Sequence, residues 1–423
     1  MQTLKISLSA ALACGLCLSS VALATNGYSP TGFGTINKGM AGAGVALPQD
    51  GMAIATNPAA GVHLGHRTDV GAALFSPKKR GYVADELTPT GSEPIVPGSY
   101  SSDNNLFLVP HFAWNKPLDD DSAITVALGA NGGMNTDYDV EVWERFDASA
   151  TAPTGVDFSQ LFLGVSYSRK LNERHSVGIM PIVAVQRFKA EGLEPFAGMS
   201  IDGAHVTNNG YDYSWGGGVR IGWLGQINER LSLAASAQSR LYMSSFDDYR
   251  GLFAEQGDFD VPPTAVIGFA YQLTPAVTLV GDWQRIWFSE VKALGNPNDQ
   301  PIAGPDNLLG ADQGLGFGWD DIDILKLGVQ WQYSPALTLR GGISHASQLF
   351  EGGNALFNIL APATPQTHLS VGLTHASGPH QISLAYTHAL KNKIGGSNPL
   401  TGTQTGYVHM AQNELEVSWG YSF

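Results

Sequence analysis

Fourteen segments of this chain alternate apolar and polar residues, and the spacers between them alternate short and long. A β-strand sends successive side chains to opposite faces, so each such segment reads as a strand with one apolar face. The segments fall near 67–76, 105–115, 122–133, 158–170, 175–190, 210–224, 231–242, 262–272, 276–290, 319–333, 336–347, 364–376, 380–391 and 407–423. Short spacers are turn sequences such as Leu171-Asn172-Glu173-Arg174 and Ser377-Gly378-Pro379. Long spacers run near 77–104, 134–157, 191–209, 243–261, 291–318, 348–363 and 392–406. After residue 24 no apolar run approaches the roughly 18 residues of a helical span, so any membrane crossing must be made by strands. The expected fold is all-β: a transmembrane antiparallel β-barrel of about 14 strands, with tight turns at the periplasmic rim and long loops outside the cell.

Parity assigns the faces. Tyr211, Tyr213, Trp215, Val219, Ile221 and Trp223 form an apolar set that faces lipid, alternating with Asp212, Ser214 and Arg220, which face the lumen. The same rule sends Leu325, Leu327, Val329, Trp331 and Tyr333 out and Lys326 in, and Leu337, Leu339 and Ile343 out with Arg340 in. Arg240 also falls on the lumen side by parity. Around Trp283 both faces carry apolar groups, which leaves the facing of that strand open. The last residues put Leu415, Val417, Trp419, Tyr421 and Phe423 on one face, the pattern of a closing strand and the expected handle for barrel-assembly machinery.

Residues 1–24 carry the charged, apolar and small-residue zones of a secretory signal, with cleavage expected after Ala24. Both cysteines, Cys14 and Cys17, lie in that leader, so the mature chain has none. Removing the leader with its one charge, Lys5, takes the net charge from -14 to -15. This acidic balance argues against a nucleic-acid partner and, at an outer surface, for contact with lipopolysaccharide and outer-membrane lipid. With 51 glycines, 10% aromatic and only 14% charged residues, the chain has the makeup of pleats and turns.

Residues 27–61 do not read as strand. They are rich in Gly and Ala, carry only Lys38 and Asp50 as charges, and include Ile36, Met40, Val45, Met52 and Ile54, which a free tail would leave in water. Packing inside a lumen removes that problem. Asn57 can cap, and Pro58 can start, a short helix. In the stretch from Gly27 to Gly44 (G-Y-S-P-T-G-F-G-T-I-N-K-G-M-A-G-A-G), in Asn57-Pro58-Ala59, in Phe246-Asp247-Asp248-Tyr249 ahead of Val261-Pro262, and in the closing Phe423, the chain resembles the FadL/TodX family of outer-membrane transporters of hydrophobic compounds, the long-chain fatty acid transport proteins among them. The resemblance implies a signal at 1–24, a hatch at 25–66 plugging the lumen, and a monomeric barrel at 67–423. It implies passive uptake of long-chain fatty acids or aromatic hydrocarbons without choosing between them; a general diffusion porin is the alternative.

Catalytic chemistry finds no footing. Ser344-His345 and Ser166-Tyr167 are strand neighbours whose side chains point to opposite faces, and no G-x-S-x-G elbow occurs. His63 and His66 lack a third ligand, and Asp320, Asp321 and Asp323 read as an acidic rim rather than a calcium site, so neither a metal nor another cofactor is expected. For the hydrophobic ligand, Leu193, Phe196, Met199, Phe246, Tyr249, Leu252, Phe253 and Phe259 are the expected lining of a capture groove. Arg220, Arg240, Lys326 and Arg340 are the candidates to meet an acidic head group. Gly129, Asn131, Gly132 and Gly133 break the third strand and, by the resemblance, mark a lateral exit.

Overall fold

The computed structural model describes residues 25–78, 80–86, 93–147, 153–302 and 304–423; the expected signal at 1–24 lies outside them. Fourteen long strands form one antiparallel sheet: β1 (Arg67–Ser76), β2 (Phe107–Pro117), β3 (Ser122–Asp137), β4 (Gly155–Lys170), β5 (His175–Glu191), β6 (Asp212–Gln226), β7 (Leu231–Gln238), β8 (Thr264–Thr274), β9 (Val277–Ile286), β10 (Ile322–Ser334), β11 (Leu337–Ala346), β12 (Thr367–Ser377), β13 (His380–Ser397) and β14 (Thr405–Ser422). The sheet closes where β14 meets β1, with Asn413 opposite Ser76 and Ser422 opposite Arg67. A barrel leaves no unpaired edge in lipid, which is how it can cross although no helix among the described residues is long and apolar enough to do so. A short hairpin, Gly81–Ala84 with Gly98–Ser101, extends the wall on the long-loop side by pairing with Gly406–His409 of β14.

Parity holds on most strands. On β6, Tyr213, Trp215, Val219 and Ile221 are exposed outward while Ser214 and Arg220 are buried inward, and β10 exposes Leu325 and Leu327 while burying Lys326. Around Trp283 the open question resolves: Val280, Asp282 and Ile286 are the inward, buried set. Val280 is apolar because it packs with Met40 and Val45 of the amino-terminal segment.

Two departures matter. Between the pairs Arg220–Gln238 and Gly217–Tyr242, the chain leaving β7 spends four steps against three on β6. The extra residue is a bulge, and a bulge inverts parity beyond it. Leu241 and Met243 are therefore buried and Tyr242 is exposed, so Arg240 is not on the regular lumen face expected of it. On β3, Ala130 stands opposite Leu161 and Gly132 opposite Gln160, leaving Asn131 as the extra residue. The strand nevertheless continues to Asp137 along β4, past the point at which the sequence suggested a loop.

Candidate functional site

Residues 25–66 lie within the ring of strands and are tied to its wall around most of the circumference. Lys38 bonds Glu414 at 2.5 Å and Glu416 at 2.6 Å, all three nearly inaccessible, and Thr35 donates to Glu416 at 2.9 Å. Arg67 pairs with Asp69 at 2.6 Å, and Asp69 also accepts from the Gly51 amide at 2.8 Å. Asp282 accepts from the Gly44 and Val45 amides at 2.8 and 3.0 Å. The lumen cations expected to await a ligand are engaged the same way. Lys326 donates to the Thr31 carbonyl at 2.9 Å, Arg340 to the Gln49 side chain at 2.7 Å, and Arg220 to the Ala55 carbonyl and to Gln238.

Asn57-Pro58-Ala59 performs the local role its residues suggest, although the turn it starts, Pro58–His63, is a 3-10 helix. The Asn57 side chain accepts from the Ala59 amide at 3.0 Å and donates to the Trp223 carbonyl at 3.1 Å, and Ser166 donates to the Pro58 carbonyl at 2.9 Å. The wall comes this close only because Gly178 and Gly222 face it; a Cβ on either would overlap Pro58 or Asn57.

Leu193, Phe196, Met199, Phe246, Tyr249, Leu252, Phe253 and Phe259 do come together, as a packed aromatic cluster rather than an open groove; Phe246, Tyr249 and Phe259 have no exposed surface. At its centre is Phe188, with ring centroids 4.8 Å from Tyr249 and 4.7 Å from Phe253. The contacts run inward from Phe253 to Phe259 (4.8 Å), Phe158 (4.9 Å), Tyr28 (5.7 Å) and Phe288 (5.7 Å), linking the loops to the amino-terminal segment. Phe158, Phe188 and Tyr28 were not anticipated from sequence. Strand parity with the inward Gln160 and Gln186 was the available signal for the first two.

Beneath this cluster is a small cleft bounded by Phe33, Pro262, Ile286, Arg220, Lys326 and Asn131. Asn131 is the bulge residue of β3. There the wall parts, because β2 and β3 pair only as far as His111 opposite Gly129, while β2 itself runs back to Phe107 along β1. Residues 130–136 of β3 are buried throughout, where a regular strand would expose every second residue to lipid. Gly132 has φ of 148°, and a Cβ there would overlap the Tyr28 carbonyl, so the parting and the segment fit each other.

Arg240 sits on its bulge, 3.4 Å from Asp260 and donating to the Glu290 carbonyl. Burial, then the charges of Asp260 and Glu255, raise Asp258 from its ordinary 3.8 to about 7; Arg240 opposes the rise, and Glu255 is itself paired with Lys292 at 2.9 Å. An acid raised on folding holds its proton more tightly in the packed loop than in the free one. Its contribution is whole below 3.8 and is lost as pH climbs toward 7. Amide exchange in residues 243–261 should therefore be faster at pH 8 than at pH 5 beyond the intrinsic rate, with Asp258→Asn flattening the difference. A flat wild-type profile would remove this account.

His63 bonds Ser176 at 2.9 Å and His66 stacks on Phe423 at 4.2 Å, so the two histidines share no ligand. Asp321 and Asp323 pair with Arg285 at 3.3 and 2.8 Å. No cluster of metal-ligating side chains occurs among the described residues.

A family model described as outer membrane protein transport protein (OMPP1/FadL/TodX) matches residues 15–412. A comparison with curated proteins gave no match. Among solved structures, the fold is similar to the toluene transporter TodX of P. putida, with TM-score 0.67 and 16% identity over 93% of this chain and 99% of that one. It is also similar to a FadL homologue of Pseudomonas aeruginosa (TM-score 0.69, 15% identity, 94% and 100% covered) and to the toluene transporter TbuX of Ralstonia pickettii (0.62, 17%, 93% and 99%).

Proposed function

The chain belongs to the OMPP1/FadL/TodX family of outer membrane transport proteins, and from that premise we propose that it takes up hydrophobic molecules passively through an outer-membrane barrel plugged by residues 25–66. One observation carries the reading. An apolar aromatic path leads from the long loops to an interior space whose far boundary is the bulge of a parted wall, and the lumen between is occupied by chain rather than open to water. A ligand captured among Phe196, Phe246 and Phe253 moves inward as the hatch rearranges and leaves sideways at residues 129–133. Long-chain fatty acids and aromatic hydrocarbons both suit such a path; the similar proteins named as toluene transporters favour testing aromatics first. The working unit is a monomer without cofactor or catalytic chemistry, set in lipopolysaccharide and lipid and inserted through its closing strand β14.

A general diffusion porin makes the opposite demand on the lumen. Reconstituted in planar bilayers, the protein should give no steady ion current, while cells expressing it should take up toluene or oleate faster than cells without it. A stable open-channel current, with no gain in hydrophobic uptake, would establish the porin instead.

A further inference from the structure

Lys391 and Lys393 lie toward the extracellular end of β13, and both are exposed. A bulge puts them on the outward face. Ala389 stands opposite Gln412 and Asn392 opposite Met410, so β13 has one residue more than β14 between these pairs, and Leu390 and Lys391 are both exposed. Below the lysines lie the lipid-facing Leu384, Tyr386 and Leu390, with Leu415 and Val417 of β14 beside them. From His380 to Lys391 the strand climbs roughly 25–30 Å, at about 3.3 Å per residue and a tilt of about 40°, which matches the apolar band of an outer-membrane barrel. The two ammonium groups therefore stand at the level of the outer leaflet's head groups.

Neither lysine has a carboxylate within 4 Å among the described residues. Elsewhere around this rim, Arg187, Lys189, Arg240 and Arg285 each have one at 2.8–3.4 Å. Lys393 is held instead against Tyr407, 4.8 Å from the ring centre. Lys78 is exposed two residues beyond the end of β1, whose Ser76 faces Asn413, so cations flank the upper part of β14 on both sides. In a chain of formal net charge -14 such a patch is a local reversal of sign. The periplasmic end of the same two strands carries His380 stacked on Trp419, then Tyr421 and Phe423, with no lysine or arginine.

We propose that Lys391 and Lys393 bind a phosphate of the phosphorylated glycolipid of the outer leaflet, lipopolysaccharide, whose acyl chains lie along Leu384, Leu390 and Leu415. The site is on the outside of the barrel and does not depend on the transport route. A phosphate needs several donors at once, and two ammonium groups on one face supply up to six. An ordinary glycerophospholipid would meet both ends of the wall, whereas this glycolipid is confined to one leaflet, as is the unpaired charge on these strands.

The test titrates the purified full chain in detergent, with EDTA present so that no divalent ion bridges phosphate to the acidic loops. The probes are lipid A carrying both phosphates, the same lipid A stripped of phosphate, and phosphatidylglycerol, with bound lipid counted by native mass spectrometry. Wild type should hold phosphorylated lipid A about tenfold more tightly than the stripped form. Combining Lys391→Gln with Lys393→Gln should lose most of that factor and change the stripped lipid less than twofold, while Lys189→Gln should keep it. An unchanged preference in the double variant, equal loss for both forms of lipid A, or phosphatidylglycerol bound as tightly as phosphorylated lipid A would overturn the assignment. Should the double variant fail to assemble, the single variants decide: each should lose about threefold, and no loss in either refutes the site.

Discussion

Replacing Lys38 by Met is expected to turn a silent barrel into a conducting one. Lys38 is bonded to both Glu414 and Glu416, and all three side chains are almost wholly withdrawn from solvent. Breaking a buried ion pair by removing one partner costs about 3–5 kcal/mol, because the remaining charge keeps its desolvation penalty and loses its compensation. Here two carboxylates on the same face of β14 would be left confronting one another, with the Thr35 hydroxyl 2.9 Å and His111 3.4 Å from Glu416. The barrel itself has no reason to fail, since its ladder between β14 and β1 is made of backbone bonds. The least costly response is for residues 25–66 to lift away from β14 and admit water. Planar-bilayer recordings should then show frequent open events in Lys38→Met, with the heat-dependent gel shift of a folded barrel retained. Glu414→Gln leaves a one-to-one pair with Glu416 and should stay nearly silent. A Lys38→Met channel as quiet as wild type would mean that the other anchors hold the segment without this one.

That buried pair also shows what a sequence of this kind discloses. Parity along the closing strand puts Glu414 and Glu416 inward between Leu415 and Val417, and the amino-terminal segment offers a single lysine. Both halves are visible, but nothing local joins residues almost the whole chain apart. The barrel was legible because period-2 alternation is imposed by lipid on one side and lumen on the other at every strand, and the Asn57 cap because it is a purely local device. Arg240 was misplaced because parity carries no information across a bulge, and no turn residue announces the one after Gln238. The cations at 220, 326 and 340 were placed on the correct face, yet Arg220 and Lys326 meet backbone carbonyls, and Arg340 the Gln49 side chain, of a segment without repeating pattern, and a carbonyl leaves no mark in a sequence.

Substituting Val for Gly132 should slow transport by about tenfold or more without abolishing capture at the loops. The residue's φ of 148° is one that side chains rarely adopt, and its missing Cβ is what lets the Tyr28 carbonyl approach β3. A β-branched side chain pushes the strand toward regular pleating and away from the segment, closing the parting against β2 that begins after Gly129. Deleting Gly132 should act in the same direction, because shortening β3 by one residue removes its one-residue excess over β4 and so abolishes the bulge. The energetic argument for a sideways route is that release into water would re-expose the tail at about 0.8 kcal/mol per methylene, so a ten-carbon chain would face roughly 8 kcal/mol that exit into lipid avoids. Closing the wall forces that penalty on the ligand, which makes the effect grow with tail length: small for toluene, large for oleate. Uptake rates for a series of increasing chain length, measured on cells with equal amounts of folded barrel, would therefore separate a blocked side door from a general defect. A variant that assembles and slows every substrate by the same factor would place the exit elsewhere, through the periplasmic mouth beneath the amino-terminal segment.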